Sequence, residues 1–178
     1  MKRIHIVGRK NHGKTTLIVD LLGEYSRRGV RVGCIKHSPH CHELDMPGKD
    51  SHRHRLAGAQ PAAIITPALV GIYFAPGGDD PYGLMASLFT GCDLLLVEGD
   101  IEAQAAKVEV WRRAIGGECL AATRDDVLAV VSDDHPAVRA AVLPRRDLAA
   151  LAERIMDLAQ PGTDAGPPPN VTGTRRVP

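Results

Sequence analysis

The chain has 178 residues, 44% of them apolar, with 22 Lys plus Arg against 21 Asp plus Glu and a net charge of +1. That length suits one domain able to fold without disulfide or metal, and the charge balance speaks against a dedicated nucleic-acid or anionic-membrane surface. Aromatic residues are 3%, too few for a base-stacking platform, and no apolar run suits a membrane span or signal peptide, so the chain reads as cytoplasmic.

In chain order, residues 4–7 (Ile-His-Ile-Val) are a largely β-branched run halted by Gly8, as a buried strand would be. Leu17, Ile18, Leu21, Leu22 and Tyr25 recur at helical spacing over 14–28, and Gly29 supplies the stop. Residues 30–35 read as a second strand. The polar, His-rich stretch 36–55, broken by Pro39, Pro47 and Gly48, reads as a functional loop running into a short helix. Residues 62–66 and 69–74 read as a hairpin joined at Pro67, and 81–90 as a helix. The unbroken apolar run 94–97 marks a strand covered on both faces. Residues 108–111 and 127–131 are further strands, and 148–158 is an amphipathic closing helix. The stretch 161–178 has almost no large apolar residues, which predicts a disordered tail after a single domain over 1–160. Strands alternating with helices imply an α/β fold with a mostly parallel sheet, an inserted hairpin, and a ligand at the carboxyl ends of the strands.

Residues 8–16, Gly-Arg-Lys-Asn-His-Gly-Lys-Thr-Thr, match G-x-x-x-x-G-K-[ST] between a predicted strand and a predicted helix. Their chemistry explains the spacing. Gly8 and Gly13 let the backbone wrap until successive N–H groups point at phosphate oxygens, and the helix beginning at Lys14 turns its positive end toward the same anion. Lys14 supplies a point charge, and the Thr15 hydroxyl suits a Mg²⁺ coordination shell. The fold is therefore expected to be of P-loop NTPase type, with Gly8, Asn11, His12, Gly13, Lys14, Thr15 and Thr16 at the nucleotide. Such a site needs a carboxylate at the end of a neighbouring buried strand. Glu98, closing the 94–97 run ahead of Gly99, offers one for metal or water, with a plain solvent-facing strand end as the alternative. Lys14 and Glu98 are the catalytic candidates; Thr15 and Glu98 are the Mg²⁺ candidates.

Three stretches resemble the molybdopterin-guanine dinucleotide biosynthesis protein B (MobB) family: GRKNHGKTTL (8–17), KHSPHCHELDMPGKDSHRHRLAGA (36–59), and the LLLVEG and KVEVWR parts of 93–112. The resemblance implies a GTP-binding homodimer acting beside the molybdenum cofactor guanylyltransferase, the enzyme that attaches GMP to molybdopterin. It implies GTP and Mg²⁺ as cofactors and an accessory role rather than the transferase itself; hydrolysis is expected to be slow because no cis arginine finger or water-positioning Gln is identifiable. It further implies a signature loop containing Lys36, His37, Asp45, Lys49, Asp50 and Ser51. Two departures stand out: His12 replaces a small residue, and Glu98-Gly99-Asp100-Ile101 replaces Glu-Gly-Phe-Lys.

Other residues carry rival readings. His37, His40, His42, His52 and His54 with Cys34 and Cys41 are zinc-ligand types, but their spacing fits no standard structural zinc pattern and a polar ligand-facing loop is the simpler reading. Lys36, Lys49, Arg53 and Arg55 line that loop with positive charge, suited to phosphate or an acidic molybdopterin moiety, or to plain solvation. No Asn-Lys-x-Asp signature for guanine is present; Ser132-Asp133-Asp134 offers a substitute, or an N-cap for a helix near Pro136. Against the leading reading stand a small-molecule or nucleoside kinase, with Arg53 and Arg55 on a lid, and a nucleotide-gated metallochaperone resting on the histidines.

Overall fold

Ile4, Ile6 and Val7 bury the carboxyl-terminal part of β1 (Lys2–Val7), directly ahead of the glycine-rich loop. The computed structural model describes residues 1–75 and 81–162. These form two compact units, residues 1–39 with 87–162, and the described part of 40–86.

The first unit is built on a parallel sheet. Beside β1 it holds β2 (Val32–Lys36), β5 (Leu94–Glu98), β6 (Lys107–Val110), β7 (Val127–Val131) and β8 (Ala141–Leu143), in the order β2-β5-β1-β6-β7-β8. A two-residue strand, β9 (Gln160–Pro161), pairs antiparallel with Lys2 and Arg3. The order reverses at β1, and in such sheets ligands bind in the crevice outside the carboxyl ends at that switch point. Registers bring those ends level: Ile6 and Lys36 both pair with Glu98, and Val7 pairs with Glu109.

Helices α1 (Lys14–Arg27) and α4 (Leu148–Leu158) cover the sheet with Leu17, Leu21, Leu151 and Ile155, and the buried Tyr25 hydroxyl donates to the Ala152 carbonyl at 2.7 Å. Gly29 turns left-handed at φ 71°, and Val30 N–H bonds back to the Tyr25 carbonyl, so residues 30 and 31 finish the helix exit and β2 starts at Val32 rather than at 30. Asp147 caps α4 by accepting from Ala150 N–H at 3.0 Å.

The second unit holds α2 (Asp50–Leu56), the antiparallel hairpin β3 (Ala62–Ile65) with β4 (Val70–Tyr73), and α3 (Pro81–Met85). The helix predicted over 81–90 is α-helical only to Met85 and continues as a 3₁₀ turn, Ala86–Phe89; Gly83 in its middle weakens it. The predicted tail from residue 163 onward lies outside the described residues, while Pro161 is paired in β9.

Within β1, His5 is fully buried and its Nδ1 donates to the Gly99 carbonyl at 3.2 Å. Burial holds this imidazole at about 4, against an ordinary 6.5. Between those values only the unfolded chain takes the proton, so the stability from the neutral ring is complete above pH 6.5 and is lost as pH falls toward 4. Urea unfolding across that window is expected to lose up to about 3 kcal/mol. His5→Gln is expected to flatten the slope; an unchanged profile in the variant would show that other groups set it.

Candidate functional site

The loop between β1 and α1 wraps because three of its residues adopt left-handed backbone: Gly8 (φ 135°), Asn11 (φ 68°) and Gly13 (φ 96°). Gly8 is held by close approach as well, since a β-carbon there would sit 2.5 Å from the Val110 carbonyl oxygen. Such a turn leaves the first N–H groups of α1 directed into the loop, as an anion cradle needs. Lys14 lies half-buried across it, its ammonium donating to the Arg9 carbonyl at 2.8 Å. Burial holds Lys14 below its ordinary range; Glu98 works against that and Lys36 adds to it.

On the β5 side, the Thr15 hydroxyl lies within donating distance of both Glu98 carboxylate oxygens, 2.9 and 3.0 Å away. Lys36 reaches the same carboxylate at 3.3 Å, and His37 N–H donates to the Glu98 carbonyl at 2.9 Å. Gly99 permits this crossing, because a β-carbon there would meet the His37 carbonyl oxygen at 3.1 Å. The structure thus brings together Gly8, Asn11, Gly13, Lys14, Thr15, Lys36, His37 and Glu98. A hydroxyl and a carboxylate side by side, next to an ammonium and a ring of backbone N–H groups, can hold a divalent cation and a polyphosphate together. Thr16 follows on the exposed surface of α1.

On the β6 side, the loop rests on His12, which the sequence places at the nucleotide, and on Arg112, which sequence reasoning missed. His12 is buried and its Nδ1 accepts from Arg112 N–H at 3.0 Å. Burial holds its imidazole below the ordinary value, so the ring is a neutral acceptor. This explains the departure from a small residue: the side chain packs under the loop rather than facing a phosphate. The Arg112 guanidinium packs against Gly13, where a β-carbon would lie 2.9 Å from Nη2. Arg9 Nε donates to the Glu118 carbonyl at 3.3 Å, and Trp111 Nε1 to the Gly117 carbonyl at 3.0 Å. Two buried charges brace this wall. Glu109 accepts from Leu120 and Ala121 N–H at 2.9 and 3.0 Å and from the Cys119 thiol, while Lys107 is paired with Asp126 at 2.7 Å. All four residues of Lys-Val-Glu-Val are buried, the two charged ones included.

Asp45, Lys49, Asp50 and Ser51 belong to the second unit. Asp45 is buried, and its Oδ1 accepts from Ser51 Oγ at 3.0 Å and Met46 N–H at 2.8 Å, bracing the start of α2. Lys49 and Asp50 are exposed. Arg53 pairs with Asp50 and Arg55 with Glu43, so both arginines are engaged within their own unit. Among the described residues no group of three or more His, Cys, Asp or Glu is placed to hold a metal ion. No helix forms near Pro136, so Ser132-Asp133-Asp134 is not an N-cap. Instead Asp133 Oδ1 accepts from Arg145 and Arg146 N–H at 2.9 and 3.3 Å, and Asp134 Oδ2 from Arg113 N–H at 2.8 Å. Among the described residues no helix is long and apolar enough to cross a membrane.

A central parallel strand, a glycine-rich turn and a helix beginning at Lys14-Thr15 define an α/β protein of P-loop NTPase type. Residues 3–133 match the family model described as molybdopterin guanine dinucleotide synthesis protein B. The chain belongs to that family. It is 33% identical over 154 residues to the molybdopterin-guanine dinucleotide biosynthesis adapter protein of Escherichia coli K12, covering 83% of this chain and 87% of that one. It is 31% identical over 130 residues to the probable adapter protein of Bacillus subtilis 168, covering 72% and 74%. The crystal structure of Bacillus subtilis MobB superposes with a TM-score of 0.65 at 24% identity, covering 90% of this chain and 99% of that one, and shares the fold.

Proposed function

We propose that this chain is a GTP·Mg²⁺-binding adapter that serves the enzyme joining GMP to molybdopterin. The observation that carries the nucleotide reading is the convergence on one crevice of the Gly8–Thr15 backbone, the Lys14 ammonium and the Thr15–Glu98 pair. Lys14 would meet the β- and γ-phosphates, and Thr15 with Glu98 would hold magnesium, which neutralises phosphate charge when bound. Family membership and the names of the adapter-protein relatives support the pathway assignment. The exposed apolar side chains of the β3–β4 hairpin, Ile64, Ile65, Val70 and Ile72, support a second copy as neighbour.

Calorimetric titration with GTP tests the reading. The wild type is expected to bind GTP more tightly with Mg²⁺ than without. Lys14→Ala is expected to weaken binding at least about tenfold to a hundredfold, the cost of removing a charge-assisted phosphate contact. A variant that binds as well as the wild type would sink the phosphate site.

A further inference from the structure

Beyond the β6 wall, the carboxyl ends of β6 and β7 border an open cleft of about 380 Å³, within the roughly 300–1,000 Å³ of small-molecule sites. It adjoins the glycine-rich loop through two of its own lining residues: Val110, whose carbonyl abuts Gly8, and Arg112, whose side chain packs on Gly13. Val110, Trp111 and Val131 give it an apolar floor. Its polar lining mixes signs. Asp133 contributes a carboxylate with Oδ1 fixed by two backbone N–H groups and Oδ2 engaged by no described residue. Arg145 contributes a guanidinium steered by Asp20 of α1, at 2.9 Å through Nη2, on a side chain that keeps 17% of its surface exposed.

That pattern is selective. Apolar lining fits a flat aromatic ring, and the guanidinium plane of Arg112 can stack on one. An acceptor and a donor in one lining match a ring edge carrying N–H donors beside a carbonyl acceptor. The geometry points to this cleft as the seat of the nucleotide's guanine ring, with Asp133 accepting from N1–H and the 2-amino group and Arg145 donating to O6. This rests on the phosphate reading above, and it names the residues that select the base.

Asp133→Asn is the informative variant. The amide keeps the oxygen that fixes the Arg145 and Arg146 N–H groups and replaces the free oxygen with a donor. Xanthine carries a carbonyl where guanine carries the 2-amino group, so the variant should exchange one ligand for the other. Titrations with GTP, XTP and ATP in Mg²⁺ are expected to show the wild type preferring GTP. In Asp133→Asn, GTP should weaken about ten- to a hundredfold and XTP strengthen by a similar factor. Arg145→Leu is expected to narrow, without abolishing, the wild type's preference for GTP over 2-aminopurine riboside triphosphate, which lacks both O6 and the N1–H that Asp133 would accept. Lys14→Ala should weaken all nucleotides alike. If Lys14→Ala weakens binding but the base ranking survives Asp133→Asn, the base assignment falls and the phosphate site stands. If Asp134→Asn produces the switch instead, the assignment to Asp133 is overturned. If Lys14→Ala changes nothing, the phosphate reading itself is lost. Thermal melts of each variant separate loss of fold from loss of selectivity.

Discussion

Gly8→Ala is expected to cost about 2–4 kcal/mol of stability and to remove nucleotide binding outright. Two penalties fall on one methyl group. At φ 135° an L side chain is strained whatever the space around it. The space is also taken, by the Val110 carbonyl oxygen 2.5 Å away, and a backbone atom of a buried strand cannot swing aside as a surface lysine can. Relief requires β1 and β6 to part at the point where Val7 registers on Glu109, which displaces the turn and every N–H group it aims. Gly23 supplies the control. It lies within α1 with nothing within 4 Å of a β-carbon, so Gly23→Ala should be neutral or stabilising by about 0.5–1 kcal/mol. Urea unfolding and GTP calorimetry on both variants check this; a Gly8→Ala protein as stable and as competent as wild type refutes the close-approach argument.

Glu109→Ala is expected to destabilise the protein by about 2–4 kcal/mol. The carboxylate is 1% exposed and gathers the N–H groups of Leu120 and Ala121 together with the Cys119 thiol. Its removal leaves those donors with no acceptor and a void beside Trp111 and Val130, which pack with Cys119. Glu109→Gln keeps one acceptor oxygen and should lose about half as much. The thiol supplies an independent readout. Burial first, and Glu109 next, push Cys119 up to about 12, so it stays protonated and inert at pH 8. Peptide-resolved alkylation should find the exposed Cys41 labelled quickly in the wild type and Cys119 labelled only in Glu109→Ala. Equal protection of Cys119 in both proteins would mean that burial alone controls it.

Where the sequence was legible, the signal was local. The turn from Gly8 to Thr15 declares itself by its glycines and its neighbours, and Glu98 by the four apolar residues ahead of it. Gly99, a glycine directly after that carboxylate, marks where His37 crosses the strand end. What escaped depends on distant partners. His12 looks like an intruder in the loop until Arg112, 100 residues away, supplies its hydrogen bond. The burial of Lys107 and Glu109 escapes because their acceptors and donors lie on turns that no periodicity announces. Strands β8 and β9, at three and two residues, are too short to carry a pattern, and only pairing with β7 and β1 defines them. Arg145 sits in an ordinary polar stretch; its relevance comes from Asp20 on another element and from the cleft it borders.

The central placement of β1 sets up a division of labour. On the proposed assignment, the β5 flank of the loop handles charge, through Glu98 and Lys36, and the β6–β7 flank handles identity, through Asp133 and Arg145. Only the turn itself is common to both. A descendant that exchanged one purine for another would rewrite one side of the sheet and inherit the other intact.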